Sequence, residues 1–150
     1  MISESYTARL ARGTMNQWSW GLRSLADPLF YLLLSLSLTS WFIPGPGDRL
    51  PWDWLLTKAL IEELFFRFML QEMAERLLKN RKVLGPVTWA NVLASAAFSA
   101  MHLFRQPPLW AALTLIPSLL FGIAWNRYKS VLPVFLIHFS YNFALFYRVF

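Results

Sequence analysis

Five apolar runs fill most of the chain, at about Leu29–Ile43, Trp52–Leu78, Val87–Phe104, Leu109–Trp125 and Val131–Val149. The connections between them carry prolines, glycines or basic residues. A helix needs ~20 apolar residues to cross hydrocarbon, so runs of this size and number constrain the fold more than any other feature. The chain has 150 residues, 57% hydrophobic and 15% charged, whereas a soluble domain carries about a quarter charged residues. One small core cannot absorb that excess, and a bilayer can. Eight Trp and five Tyr, many near the ends of the runs, suit the aromatic belts of a membrane interface. The pattern predicts an all-α, multi-pass integral membrane bundle of about five transmembrane helices.

The first run is short for a span, but Asp27-Pro28 can begin its first turn. Pro117 is expected to kink the fourth. Residues 1–27 mix Arg9, Arg12 and Arg23 with Trp18, Trp20 and Leu22, which predicts a basic amphipathic lead-in at the membrane surface. A cleaved signal peptide does not fit, because the apolar stretch starts late and no small-residue cleavage site follows it. Residues 28–150 then form a single membrane-embedded helical domain, joined by short loops and without internal repeats.

The net charge is +6, yet the basic residues lie in the segments between runs and form no face or stripe, so nucleic acid is not an expected partner. Their distribution reports orientation instead. Arg9, Arg12, Arg23, Arg76, Lys79, Arg81, Lys82, Arg127 and Lys129 fall on one side, and Arg49, Arg105 and Arg148 on the other. The positive-inside rule puts the N-terminus in the cytoplasm and the C-terminus outside the cell (inner) membrane. There is no cysteine, which removes disulfides and thiolate chemistry.

Three clusters carry chemistry. The first is IEELFFRFML, residues 61 to 70. Burying a Glu or Arg at the centre of a membrane helix costs at least ~2.5 kcal/mol, so three such groups close together need partners or a task. Glu63 and Arg67 are four apart and can form an ion pair on one face. Glu62 points about 100° away from Glu63 and is five residues from Arg67, which makes that pairing poorer and leaves it facing neighbouring helices. A carboxylate without a full counter-charge in a low-dielectric site is suited to act as a general base. The bland alternative is a charge cluster that holds the bundle together.

The second cluster is FSAMH, residues 98 to 102, where Phe98 can pack beside His102 one turn on. The Ala- and Ser-rich stretch before it allows close helix approach, which could bring His102 to Glu62. Alone, it reads as an interfacial histidine. The third is HFSYN, residues 138 to 142. His138 and Asn142 share a helical face and both can donate hydrogen bonds, the arrangement an oxyanion requires. Alone, it reads equally as polar glue between helices.

The ordered set Glu62-Glu63-x-x-x-Arg67, Phe98-x-x-x-His102 and His138-x-x-x-Asn142 resembles the glutamic-type intramembrane proteases that include the prenyl-protein (CAAX) and bacteriocin-processing endopeptidases, the CPBP or ABI family. The resemblance covers about residues 52 to 146, and the chain looks like little more than the catalytic core of larger members. It implies a peptide hydrolase without a cofactor. Glu62 and His102 would activate water, His138 and Asn142 would stabilise the oxyanion, and Glu63 and Arg67 would support the site, with Phe98 beside His102. The implied partners are a membrane-associated protein or peptide substrate and the lipid bilayer, with further membrane proteins open.

Two other readings use the same residues. Glu62, His102 and His138 make a chemically sensible set of metal ligands for a metal-dependent membrane protease, although no HExxH helix is present. A polar intramembrane cluster could also serve a non-enzymatic immunity protein or an ion pathway. Substrates compatible with the sequence are a prenylated C-terminus, a bacteriocin leader or a C-terminal sorting signal. The depth of the motifs along their runs points to a site opening outward.

Overall fold

The computed structural model describes residues 21–43, 50–79 and 81–147. Asp27 opens the first helix as the sequence predicts, its carboxylate accepting from the Leu29 N–H at 3.0 Å. Pro28 occupies the first helical position, where its missing N–H leaves nothing unpaired. This helix, α1 (Pro28–Leu36), runs on as a tighter 3-10 segment (Ser37–Phe42). Residues 1–20 of the expected surface lead-in lie outside the described residues.

The second run forms α2 (Trp52–Glu63), a π-helical segment (Leu64–Gln71) and α3 (Glu72–Leu77). The third run departs from expectation at its start. Val87 and Thr88 are not helical but form β2 (Val87–Thr88), paired antiparallel with β1 (Lys82–Leu84). The turn between them uses Gly85 at φ 53, a conformation that costs a glycine little. Thr88 then caps α4 (Trp89–His102), its hydroxyl accepting from the Asn91 N–H at 3.1 Å. The all-helical expectation is corrected by this one hairpin, which turn chemistry and capping favour over a further turn of helix.

The fourth run is divided into α5 (Pro108–Leu113) and α6 (Leu115–Tyr128). The break follows Leu113, the residue whose carbonyl the Pro117 ring would crowd and whose usual N–H partner Pro117 lacks. The last run is α7 (Val131–Phe146), and residues 148–150 lie outside the described set. Among the described residues, one helical stretch is long and apolar enough by itself to cross a membrane: Pro108–Tyr128, 21 residues with mean hydropathy 1.6. Pro28–Phe42 and Val131–Phe146 are shorter apolar helices. The second run carries charged groups in its middle, and the third forms a helix of only 14 residues.

Helix α2 packs against α7, α4 against α6, and α7 against both α6 and the 3-10 segment. The apolar core lies where α1, α6 and α7 meet, around Phe30, Leu33, Phe121, Trp125, Val134 and Ile137. The α4–α6 contact depends on Gly122, where a Cβ would stand 1.8 Å from Asn91 Oδ1. The Asn91 amide has no freedom to move aside, because it donates to the Leu119 carbonyl at 3.0 Å and accepts from the Ser95 hydroxyl at 3.1 Å. Gly122→Ala is therefore expected to destabilise the fold by roughly 1–3 kcal/mol, the usual range for overpacking. Thermal unfolding in detergent checks this, and Asn91→Ala in the same chain should recover part of the loss.

At one end of the bundle, Arg127 pairs with Asp27, and Lys129 pairs with Glu72 and Glu75. The hydrogen bond from Arg127 holds the Asp27 carboxyl below its ordinary value. These contacts tie α1 and α3 to the end of α6.

Candidate active site

The site is built on α2, α4 and α7. Glu62 and Glu63 are the last two residues of α2, and the helix widens into its π segment immediately after them. An α-helical turn of ~3.6 residues rotates a four-residue repeat by about 40° per step. Wider π turns work against that drift, and from this stretch Glu63 reaches α7, Arg67 reaches α4 and α6, and Gln71 reaches α6. Single π turns within α-helices recur at functional sites.

Glu63 and Arg67 form the expected pair, with Arg67 Nε 3.4 Å from Glu63 Oε2 and neither side chain exposed. The other Glu63 oxygen accepts from His138 Nδ1 at 2.7 Å. His138, itself only 2% exposed, presents Nε2 to Glu62 Oε2 at 3.5 Å. The imidazole thus lies between two carboxylates, each on a different ring nitrogen. Phe121 of α6 stacks on it, with ring centroids 4.6 Å apart and planes at 21°.

Glu62 is not the unpartnered acid that the sequence suggests. Lys58, one turn earlier on α2, stands 3.5 Å from Glu62 Oε1. The pair is partly exposed, with side-chain accessibilities of 31% and 17%, and is correspondingly weak. Glu62 Oε2 is buried and makes no hydrogen bond among the described residues.

His102 ends α4, and its Nδ1 lies 2.8 Å from the Phe98 carbonyl. A carbonyl only accepts, so Nδ1 carries the proton, and the neutral ring keeps its lone pair on Nε2. The Phe98 ring contacts both histidines, at 4.6 Å from the His102 centroid and 5.7 Å from that of His138. Glu62, Lys58 and His138 all lie within electrostatic range of His102. Asn142 lies one turn beyond His138 on α7, half-buried, and its amide bonds to no described residue.

The structure therefore brings together Glu62, Glu63, Arg67, Phe98, His102 and His138, with Asn142 adjacent. Among the described residues, no three His, Asp or Glu side chains are grouped so as to hold a metal ion. A further set of polar groups escaped the sequence reading. Gln71, Ser95 and Ser118 are fully buried around Arg67, and Asn91 is buried beside Ser95. The signal for Gln71 was present as the repeat Glu63, Arg67, Gln71, Glu75 at four-residue spacing. Ser95 and Ser118 come from other helices and carry no such mark.

Residues 50–144 match the family profile described as Type II CAAX prenyl endopeptidase Rce1-like. Comparisons with curated proteins and with solved structures give no match.

Proposed function

Because the chain belongs to the Rce1-like family of type II CAAX prenyl endopeptidases, a membrane-embedded protease family, we propose that it hydrolyses a peptide bond of a membrane-associated substrate by direct attack of water within the bilayer. Glu62 is the general base, His102 assists it, and His138 and Asn142 hold the oxyanion. The observation that carries this reading is the imidazole of His138 clasped between Glu62 and Glu63.

Glu62 Oε2 is a buried acceptor without a hydrogen bond among the described residues, chemically apt for taking a proton from water. His102 offers the Nε2 lone pair as a second acceptor nearby. The hydroxide adds to the scissile carbonyl, and the charge on the carbonyl oxygen is met by donors from α7. For His138 to donate from Nε2 while Nδ1 donates to Glu63, the ring carries both protons, and the flanking carboxylates compensate its charge. The tetrahedral adduct then collapses as the departing amine receives the proton that water lost. Glu63 and Arg67 touch no reacting atom in this scheme and act as positioning residues.

In the same reading, residues 28–150 form one catalytic domain of about five membrane crossings, with the N-terminus cytoplasmic, the C-terminus outside and the site opening outward. The proline-broken α5–α6 stretch and the shorter α1 and α7 support multiple crossings. The family description names a CAAX prenyl endopeptidase, which supports a substrate held at the membrane.

Asn142→Ala is expected to lower turnover by about 10²–10³-fold, the usual cost of one oxyanion donor. The variant should fold normally, since the amide bonds to no described residue. Turnover on a membrane-inserted peptide, together with the thermal transition, checks both halves. Unchanged turnover after exhaustive chelation separates this mechanism from a metal-dependent one, in which activity would be lost and restored by zinc.

A further inference from the structure

Behind the site, beyond Arg67, runs a buried polar ladder to which the hydrolytic scheme assigns no role. Arg67 is fully buried, and both of its terminal nitrogens are held. One terminal nitrogen donates to Gln71 Oε1 at 3.0 Å and to Ser95 Oγ at 3.4 Å. The other donates to the carbonyl of Ser118 at 2.7 Å and to its hydroxyl. Gln71 is also fully buried, and its own orientation is fixed. Its amide nitrogen, with two hydrogens to share, faces three acceptors: the Gly122 carbonyl at 3.1 Å, Asn126 Oδ1 at 2.8 Å and Glu75 Oε1 at 3.2 Å. With three acceptors around the nitrogen, the amide cannot flip, and Oε1 must face Arg67.

We propose that Gln71 is a positioning residue for hydrolysis: by fixing the Arg67 guanidinium it fixes Glu63, and through Glu63 the imidazole of His138. The reasoning follows the contacts outward. A guanidinium has five N–H donors in a rigid fork and no acceptor, so its orientation is set by whichever acceptors surround it. Gln71 supplies the acceptor on the side away from Glu63. Without it, the fork can turn toward Ser95 and Ser118 and withdraw from Glu63, toward which Nε makes an ion pair at 3.4 Å but no hydrogen bond among the described residues. Glu63 then loses the charge that holds it, and Nδ1 of His138 loses a fixed acceptor. The proposal rests on the reading of His138 given above, but one of its observables does not.

Only two histidines occur in the chain, so imidazole 15N spectra of the purified protein in nanodiscs contain two residues, assigned with His102→Gln. Gln71→Met, close in shape but unable to accept, is expected to shift the His138 Nδ1 resonance while leaving that of His102 in place. It should also lower kcat by about ten- to a hundred-fold, the effect of displacing a reacting group by a fraction of an ångström to an ångström, with KM within about two-fold. Gln71→Glu keeps an acceptor toward Arg67 and serves as the second variant. It should retain more of the native His138 signal than Gln71→Met. An unchanged His138 spectrum in folded Gln71→Met, or failure of both variants to fold, would overturn the proposal, the latter by making Gln71 a structural strut alone. A His138 signal that follows Gln71 in a protein cutting no peptide would leave the ladder standing and remove the hydrolytic reading instead.

Discussion

Glu62→Gln should abolish peptide cleavage, with a loss of about 10³-fold or more in kcat, and leave the helical bundle intact. Gln has the shape of Glu and still accepts hydrogen bonds, but it cannot take a proton from water at neutral pH. General-base catalysis contributes typically ~10²–10⁴-fold, and Glu62 Oε2 is a buried acceptor that makes no hydrogen bond among the described residues. The structural cost is small. The pair it forms with Lys58 is partly exposed, and such pairs contribute roughly 0–1 kcal/mol. Kinetics on a membrane-inserted peptide, with the unfolding transition measured on the same preparation, separates the two effects. A non-enzymatic membrane protein that only binds a partner would keep its function in this variant.

Arg67→Met has the opposite character, a large loss of stability rather than a selective loss of chemistry. Glu63 and Arg67 have no exposed side-chain surface, so neither charge is solvated by bulk water. Removing the cation leaves a buried carboxylate with His138 as its close partner among the described residues, and breaking a buried pair from one side costs about 3–5 kcal/mol. The desolvation of Glu63 dominates here, because Met fills most of the volume of the lost side chain. Pairing it with Glu63→Gln removes the stranded charge and should recover part of the loss. Unfolding in detergent, measured for both single variants and the double, yields the coupling. Additive losses would show that the two residues do not stabilise each other.

Local rules read some of this molecule well. Asp27-Pro28 starts a helix because a capping carboxylate and a preset φ act within one turn. The interruption after Leu113 follows from Pro117 in the same way. The Glu63–Arg67 contact was legible because both groups share one helix. The hairpin at Gly85 was not, since a short apolar strand and the first turn of an apolar helix have similar compositions. Within the site, the three motifs were recognisable by spacing. Their mutual geometry was set by tertiary packing: nothing in residues 138 to 142 says that Glu63 takes Nδ1 and Glu62 faces Nε2. Lys58 stands one turn before Glu62, at the same spacing as Glu63 and Arg67, but lies outside the three motifs. Ser95 and Ser118 are similarly silent, because a buried serine acquires its meaning only from the guanidinium it meets.

Single-turnover cleavage of a membrane-inserted peptide in 18O-enriched water tests the mechanism most directly. Attack by water activated at Glu62 places one 18O in the new C-terminal carboxylate during the first turnover, and none appears with Glu62→Gln. A first-turnover product carrying only 16O, as an intermediate resolved at an enzyme carboxyl would give, or equal cleavage by Glu62→Gln, would contradict it.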